Sequence, residues 1–535
     1  MGRDMGKQRP KAFCFTPADG RTTANAYWMD VHVANIPKVN KAFEANGFDV
    51  TWLHGINDCV DNEFKAKNLA IKALAVARSG DVLVPVTTGW NWPAHAGVIF
   101  TMMQDLIRSE AVGLINVCNM KPKAPGYVGT AANVLALEIM HLPYERLTII
   151  DQSDVGWAEF TKQIGDVLAG RYRLQAPSDP VNVTERHRLL ARKALKWLRL
   201  NCGFIKLINA NSMTMFQGWP NVELFLKIGA VPIFVGSHEF EELMYKVPQA
   251  RVDRSYRWLK GTGIQIEYER GGLSRREIDL ALRMMLVKVD WINKGCGGIG
   301  TQGQMEQIRT VATDLSESLV MSSRCYGKLI QVPNIDVTEA DCEALFTSLI
   351  MRAIMFIKYG RMMPVGFHDI RHYCSEEDTM VLLNSGAQPI DYLVDDMSDW
   401  SDVRLVSQNR KVYFLNGGAA VYGNMRPSKN NTLARFHGSG SGYKLLTAAM
   451  DIEPTSWENR AQYYGELDHW PFGKAKIRPP KLDEIVSTVS GMTPTLAATL
   501  KWVPNHGQHV GVNIIPELTA VAEELGIDHQ CFSAG

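Results

Sequence analysis

The chain has 535 residues, of which 46% are apolar and 21% charged, and a net charge of +1. That length exceeds a single core and implies roughly two to four domains. The near-neutral balance removes any electrostatic case for a nucleic acid or an anionic membrane as partner.

Nine cysteines stand singly, with no CxxC pair. This argues against a disulfide framework or a structural zinc site and fits a reducing compartment. The opening MGRDMGKQRPKAFCF is charged and lacks the apolar stretch of a signal peptide. Gly6 stands where a myristoylation motif needs Ser or Thr. No apolar run reaches membrane-spanning length, so a cytoplasmic protein without a membrane partner is expected.

Strand-like and helix-like segments then alternate. KAFCFTP (11–17) reads as a strand and VANIPKVNKAFEANG (33–47) as a helix stopped by Gly47. FDVTWLHG, DVLVPVTTG, AVGLINVCN and ERLTIID read as further strands. EFKAKNLAIKALAVARSG, AGVIFTMMQDLIRS and GTAANVLALEIMHL are the helices between them. Such alternation predicts a mostly parallel, Rossmann-like sheet covered on both faces, with ligands beyond the carboxyl ends of its strands. RYRLQAPSDPVNVTERHR (171–188) reads as a connection into a helix at LLARKALKWLRL. A second αβ region follows, with strands at GFIKLINA and AVPIFVG and a helix at RREIDLALRMMLVKVDWINKG. From about residue 361 short strands and glycines take over, in KVYFLNGGAAVYGN, RFHGSGSGYKLLTAAM and HVGVNII. The expected fold is α/β: αβ domains over 1–200 and 201–360, then a β-rich C-terminal domain over 361–535.

Three glycine or tryptophan motifs invite a ligand. GCGGIG (295–300) satisfies GxGxxG, but it follows a helix where a dinucleotide fingerprint follows a strand, so it reads as a helix stop and loop. GSGSGYK (438–444) lacks the GK[ST] ending of a phosphate loop. GWNWP (89–93) sets Trp90 and Trp92 at a strand end, either as core or as a stacking wall over a ligand.

The segment 334–374 carries more chemistry. A short strand-like piece stops at Glu339. A helix follows, with Leu345, Leu349, Ala353 and Ile357 on one face and Gly360 at its end. MMPVGFHD then reads as a strand stopping at Asp369. If the two strands run parallel, the helix is their crossover and both carboxylates emerge at one sheet edge. Acids at strand ends also serve as helix caps or stay solvated, and that reading stands beside the first. An imidazole from PNHG would add one nitrogen to two hard oxygens. That donor set suits a divalent ion such as Mn²⁺, with positions left open for substrate oxygens. Such an ion polarises a sugar carbonyl and the adjacent hydroxyl together, and a carboxylate can move protons between neighbouring carbons.

These segments resemble the L-fucose isomerase family. VTEADCEALFTSLIM…VGFHDIRHY is similar to that family's motif pair, an ATE glutamate and an ADVR aspartate that bind Mn²⁺. LLNSGA (382–387) resembles its INSG segment and GSGSGYKLLT its glycine-rich turn with a tyrosine. WVPNHGQHVGVNIIPELTAVAEELGI resembles its closing NWGANHG segment, TQGQ (301–304) its FQGQ, TPADGR its DGR turn and TTGWNWP its tryptophan loop. The order is kept across nearly the whole chain.

The resemblance implies an aldose–ketose isomerase of carbohydrate metabolism, on L-fucose, D-arabinose or a related open-chain sugar. Glu339, Asp369 and His506 would bind Mn²⁺ (Co²⁺ and Mg²⁺ are alternatives), and the two carboxylates would act as the base and acid pair. Gln302, Ser385, Tyr443 and Trp470 would line the sugar pocket. Arg21 and Trp90 would reach it from a neighbouring subunit of a hexamer. His509 has no counterpart role and reads as a supporting or exposed histidine. Lys501 and Val503–Pro504 depart from the family, and the loop between Asp369 and Ser385 is short, which leaves the sugar open. A non-catalytic sugar-binding or sensor protein, and a metal-dependent epimerase or aldolase, are the alternatives.

Overall fold

The computed structural model describes residues 9–120, 124–172, 178–209, 211–268, 272–303, 310–439, 442–457, 460, 469–480 and 493–535. Its contacts form two compact units, Met1–Leu174 and Gln175–Gly535.

The first unit holds β1 (Lys11–Phe15), β2 (Asp49–Trp52), β3 (Asp81–Thr87), β4 (Val112–Asn119) and β5 (Glu145–Ile149). They form one parallel sheet in the order β2-β1-β3-β4-β5. Five helices alternate with the strands: Thr22–Ala45, Glu63–Leu74, Pro93–Arg108, Gly126–Ile139 and Asp154–Leu168. Every residue of DVLVPVT in β3 is buried, as a strand covered on both faces requires. Phe13, Leu83, Ile99 and Phe100 pack on one face. Cys14, Phe43, Val84 and Phe160 pack on the other. The mixed α/β, parallel-sheet expectation holds here.

In the second unit β6 (Gly203–Ile208), β7 (Ala230–Val235), β8 (Gln265–Ile266), β9 (Ile299–Thr301) and β10 (Asp336–Thr338) come first. All but β8 make a second parallel sheet, β10-β9-β6-β7. GCGGIG leads into β9 and opens no helix, and a Cβ on Gly298 would sit 2.9 Å from Leu345 Cδ1. These glycines therefore serve close packing.

Next come β11 (Gly366–Cys374), β12 (Thr379–Leu383), β13 (Arg404–Ser407), β14 (Ala419–Tyr422), β15 (Ser428–Ser439), β16 (Gly442–Glu453), β17 (Phe472–Ile477), β18 (His506–Val510) and β19 (Asp528–Ser533). Strands β15-β18-β11-β12-β17-β16 run in that order, and β15 pairs back onto β16, closing a barrel. β19 adds to β16 in parallel. The β-rich C-terminal part is thus a closed barrel, which leaves those strands without free edges.

The expected boundaries differ from the observed contacts. The helix Glu185–Asn201 belongs to the second unit, and residues 201–360 and 361–535 share one body. Two features join them. β8 pairs with β13, and the helix Cys342–Tyr359 shares one core with Leu207 of β6 and Phe436 and Val510 of the barrel. Every side chain from Cys342 to Met355 is buried, so this helix lies inside the unit rather than on its surface.

The predicted crossover is corrected by this topology. β10 pairs in parallel with β9, whereas β11 pairs antiparallel with β12 and β18. The helix passes from one sheet to another, and Asp369 sits within β11, which continues to Cys374. Asp341 caps the helix, accepting from the Ala344 N–H at 2.8 Å. Gly360 closes it at φ +68, a conformation suited to glycine.

Candidate active site

Glu339 is the first residue after β10, 7% exposed. Asp369 lies opposite His506 in the β11–β18 ladder. His506 Nε2 stands 3.2 Å from Glu339 Oε2 and 3.2 Å from Asp369 Oδ1. The carboxylates come from different sheets and meet on one ring nitrogen. His506 and His509 both lie within β18.

The other ring nitrogen is held as firmly. His506 Nδ1 lies 2.6 Å from Asp341 Oδ2. Arg435, fully buried, donates to Asp341 Oδ1 at 2.8 Å and to Glu343 Oε2 at 3.1 Å. The Phe367 ring packs 4.5 Å from the imidazole, and the Trp502 indole donates to His506 O at 3.1 Å. Asn505 donates to Asp369 Oδ1 at 3.3 Å and accepts from Gln217 at 2.8 Å. Asp341, Arg435, Asn505 and Gln217 were not singled out from the sequence. Asp341, two residues after Glu339 at a helix start, carried a readable signal. Arg435 and Gln217 carried none, because they lie far away in the chain.

Electrostatics follow from burial among acids. Burial would depress the His506 imidazole, but Asp341, Asp369 and Glu339 outweigh it and hold it well above its ordinary value. Burial lifts the Glu339 carboxyl, and the charges of Asp369 and Asp341 add to that lift. Asp341 is held low despite burial, chiefly by Arg435. Burial pushes Glu343 up to about 7.

Among the described residues no three His, Cys, Asp or Glu side chains already ring a common cation position. The carboxylates close on the imidazole itself. The chemistry of the donor set nevertheless fits a divalent cation. With Nδ1–H given to Asp341, Nε2 turns a lone pair toward two carboxylate oxygens, an arrangement that a proton or a cation must neutralise. Cis ligands around such an ion stand roughly 3 Å apart, close to the spacings seen.

The other expected residues divide. Gln302 follows β9 as Glu339 follows β10, and Thr301 and Thr338 are register partners, so the two lie side by side. Ser385 follows β12, where Leu383 is paired with Asp369. The Trp470 ring lies 5.6 Å from the Arg371 guanidinium, and Arg371 Nη1 is 4.0 Å from Asp369 Oδ2. Tyr443 is not brought to the trio by any described bond. Its hydroxyl bonds Asn221, and its ring packs on the core around the helix Cys342–Tyr359. Gly440, Ser441 and Gln304 of the matching segments lie outside the described residues.

Arg21 and Trp90 belong to the first unit. Arg21 donates to Asp19 through Nε at 2.8 Å and Nη2 at 2.6 Å, a two-point grip that shapes the DGR turn. A Cβ on Gly20 would lie 2.7 Å from the Trp92 ring, so this turn and the tryptophan loop dock together at the carboxyl ends of β1 and β3. Trp90 is 8% exposed and lines a cavity of about 20 Å³ with Thr16, Trp28 and His32.

His509 is fully buried on the opposite side of its strand from His506. Its Nδ1 is 2.7 Å from His368 Nε2, and burial lowers it to about 3. It is neither exposed nor in contact with the trio. All nine cysteines are free and buried. Among the described residues no helix is long and apolar enough to cross a membrane. No protein-family model matches the chain, and no curated protein matches it.

Proposed function

We propose that the protein is a cytoplasmic, metal-dependent aldose–ketose isomerase resembling the L-fucose isomerase family, active as a homo-oligomer. The observation that carries this reading is the approach of Glu339 and Asp369, from separate sheets, to the one nitrogen of His506 that Asp341 leaves free. Glu339, Asp369 and His506 would hold Mn²⁺, which when bound polarises the oxygens on C1 and C2 of an open-chain aldose.

The chain's own groups move the protons. One carboxylate takes the C2 proton while the proton of the C2 hydroxyl passes to O1 by way of the ene-diol, and the resulting carboxylic acid returns its proton to C1, leaving the carbonyl at C2. Glu339 is buried and Asp369 half-buried, which limits the water that could compete for that proton. Asp341 holds the imidazole's tautomer, and Arg435 keeps Asp341 ionised. Gln302, Ser385 and Trp470 orient the sugar chain beside the trio. Arg21 and Trp90, from the first unit, and Tyr443 are assigned sugar contacts by the resemblance alone.

The test is an assay of aldoses, L-fucose and D-arabinose among them, on EDTA-treated protein before and after Mn²⁺ is restored. Ketose formation should appear with the metal and fall by at least about 10²-fold in Glu339→Gln, with deuterium from solvent entering C1. Activity that survives in Glu339→Gln would refute the assignment. Saturable sugar binding without turnover would point instead to the non-catalytic binding protein.

A further inference from the structure

One carboxamide behind the candidate pocket ties two of its expected walls together. Gln408 follows β13, is 1% exposed, and its N–H is fixed to Gly418 O at 2.8 Å. Nε2 donates to Asp314 Oδ2 at 2.9 Å and to the main-chain oxygen of Ser385. Oε1 accepts the Trp470 indole N–H at 2.8 Å. The partners dictate the residue type, since two acceptors face one end of the amide and a donor faces the other. A Glu there would set an acceptor against the Asp314 carboxylate and the Ser385 carbonyl. A Leu would leave three buried polar groups without this partner.

The loop bearing Ser385 is shaped around this amide. Gly386 stands at φ +116, and a Cβ on it would overlap Gln408 Nε2 and lie 3.1 Å from Asp314 Cβ. Val421 N–H bonds Gly386 O at 3.0 Å from the far side. On the tryptophan side the Trp470 ring meets Arg371, which neighbours Asp369. Asp314 opens the helix Asp314–Met321. Burial holds its carboxyl at about 7; the Gln408 bond opposes that rise and the charge of Glu339 adds to it. The amide thus bonds both expected sugar-contacting elements at once.

We propose that Gln408 is a positioning residue that sets the spacing between Ser385 and Trp470, and thereby which aldose the pocket accepts. This inference rests on the isomerase reading. The described bonds of Gln408 go to Asp314, Ser385, Gly418 and Trp470, none of them a proposed metal ligand, so its loss is expected to act on the sugar rather than the metal.

The test compares Gln408→Leu, Gln408→Glu and wild type, all as full-length protein loaded with Mn²⁺. Both variants should raise KM by about tenfold or more, hold kcat within about threefold, and reorder the preference among aldoses differing at one carbon. Mn²⁺ affinity, titrated directly, should stay at the wild-type value. Wild-type KM values and aldose ranking in folded variants overturn the proposal. A proportional loss of kcat and Mn²⁺ affinity also overturns it, since that marks general damage. If neither variant folds, Gln408→Met, which keeps the side chain's length and removes the amide, takes their place; a reordered aldose preference then supports the clamp and an unchanged one overturns it. Wild type that turns over no aldose would bring down the isomerase reading itself, an outcome distinct from variants that merely keep normal KM.

Discussion

Glu339 holds φ +62 and Ala340 +49, a left-handed backbone that non-glycine residues seldom adopt. Such strain persists where surrounding structure enforces it, often at functional turns. Here it lets Glu339 leave β10 toward His506 Nε2 while Asp341, two residues on, reaches Nδ1 of the same ring. Asp341→Asn keeps a helix cap but cannot accept as an anion from both His506 and Arg435. We expect Mn²⁺ affinity to drop about 10- to 100-fold with the helix content unchanged, as read by metal titration beside circular dichroism. Gly366 faces His509 across the ladder, and a Cβ there would overlap His509 Nδ1. Gly366→Ala should therefore cost about 1–3 kcal/mol by overpacking, visible as a lower denaturation midpoint. An unshifted midpoint would mean the histidine pair yields freely.

At the level of elements, the helix Cys342–Tyr359 explains both what the sequence revealed and where it misled. Its apolar spacing marks a helix, and Gly360 marks its end. Burial on every side is a property of its neighbours: the Phe346 ring meets Phe225 at 5.7 Å and Phe436 at 5.3 Å, from opposite parts of the unit. A strand, a helix and a strand in succession imply a parallel crossover until pairing partners are known. β11 instead finds β12 and β18, because a barrel satisfies its edges with antiparallel neighbours. Leu349 is fully buried in this helix. Leu349→Ala should destabilise by about 2–5 kcal/mol, measured by chemical denaturation. A loss below about 1 kcal/mol would show that the core around it relaxes.

Away from His506, which its three acids keep charged, the second unit buries imidazoles that stay neutral. Burial lowers His372 and His529 to about 4 and His437 to about 3, against about 6.5 in an unfolded chain. Above pH 6.5 both states carry neutral rings, and the full stability is present. As pH falls from about 6.5 toward 4, the unfolded chain takes up protons that the folded one refuses, so stability is lost across that window. The melting temperature should fall steadily between pH 7 and pH 5 in calorimetry. A flat profile there would show that these rings protonate in place.

Composition and apolar period by themselves determined the alternation of helices with a parallel sheet in the first unit and the β-rich character of the last third, because short-range patterning reports which faces are buried. The acids at Glu339 and Asp369 were legible as the ends of segments, and His506 as part of a matching motif. Tertiary structure alone decided that the carboxylates come from two sheets, that Asp341 and Arg435 hold the imidazole, that the Tyr443 ring packs on the core of the helix Cys342–Tyr359, and that Gln408 bonds both Ser385 and Trp470. Those outcomes depend on which strands pair and which buried donors find acceptors, and partners such as Arg435 and His506 stand far apart in the chain until the barrel closes.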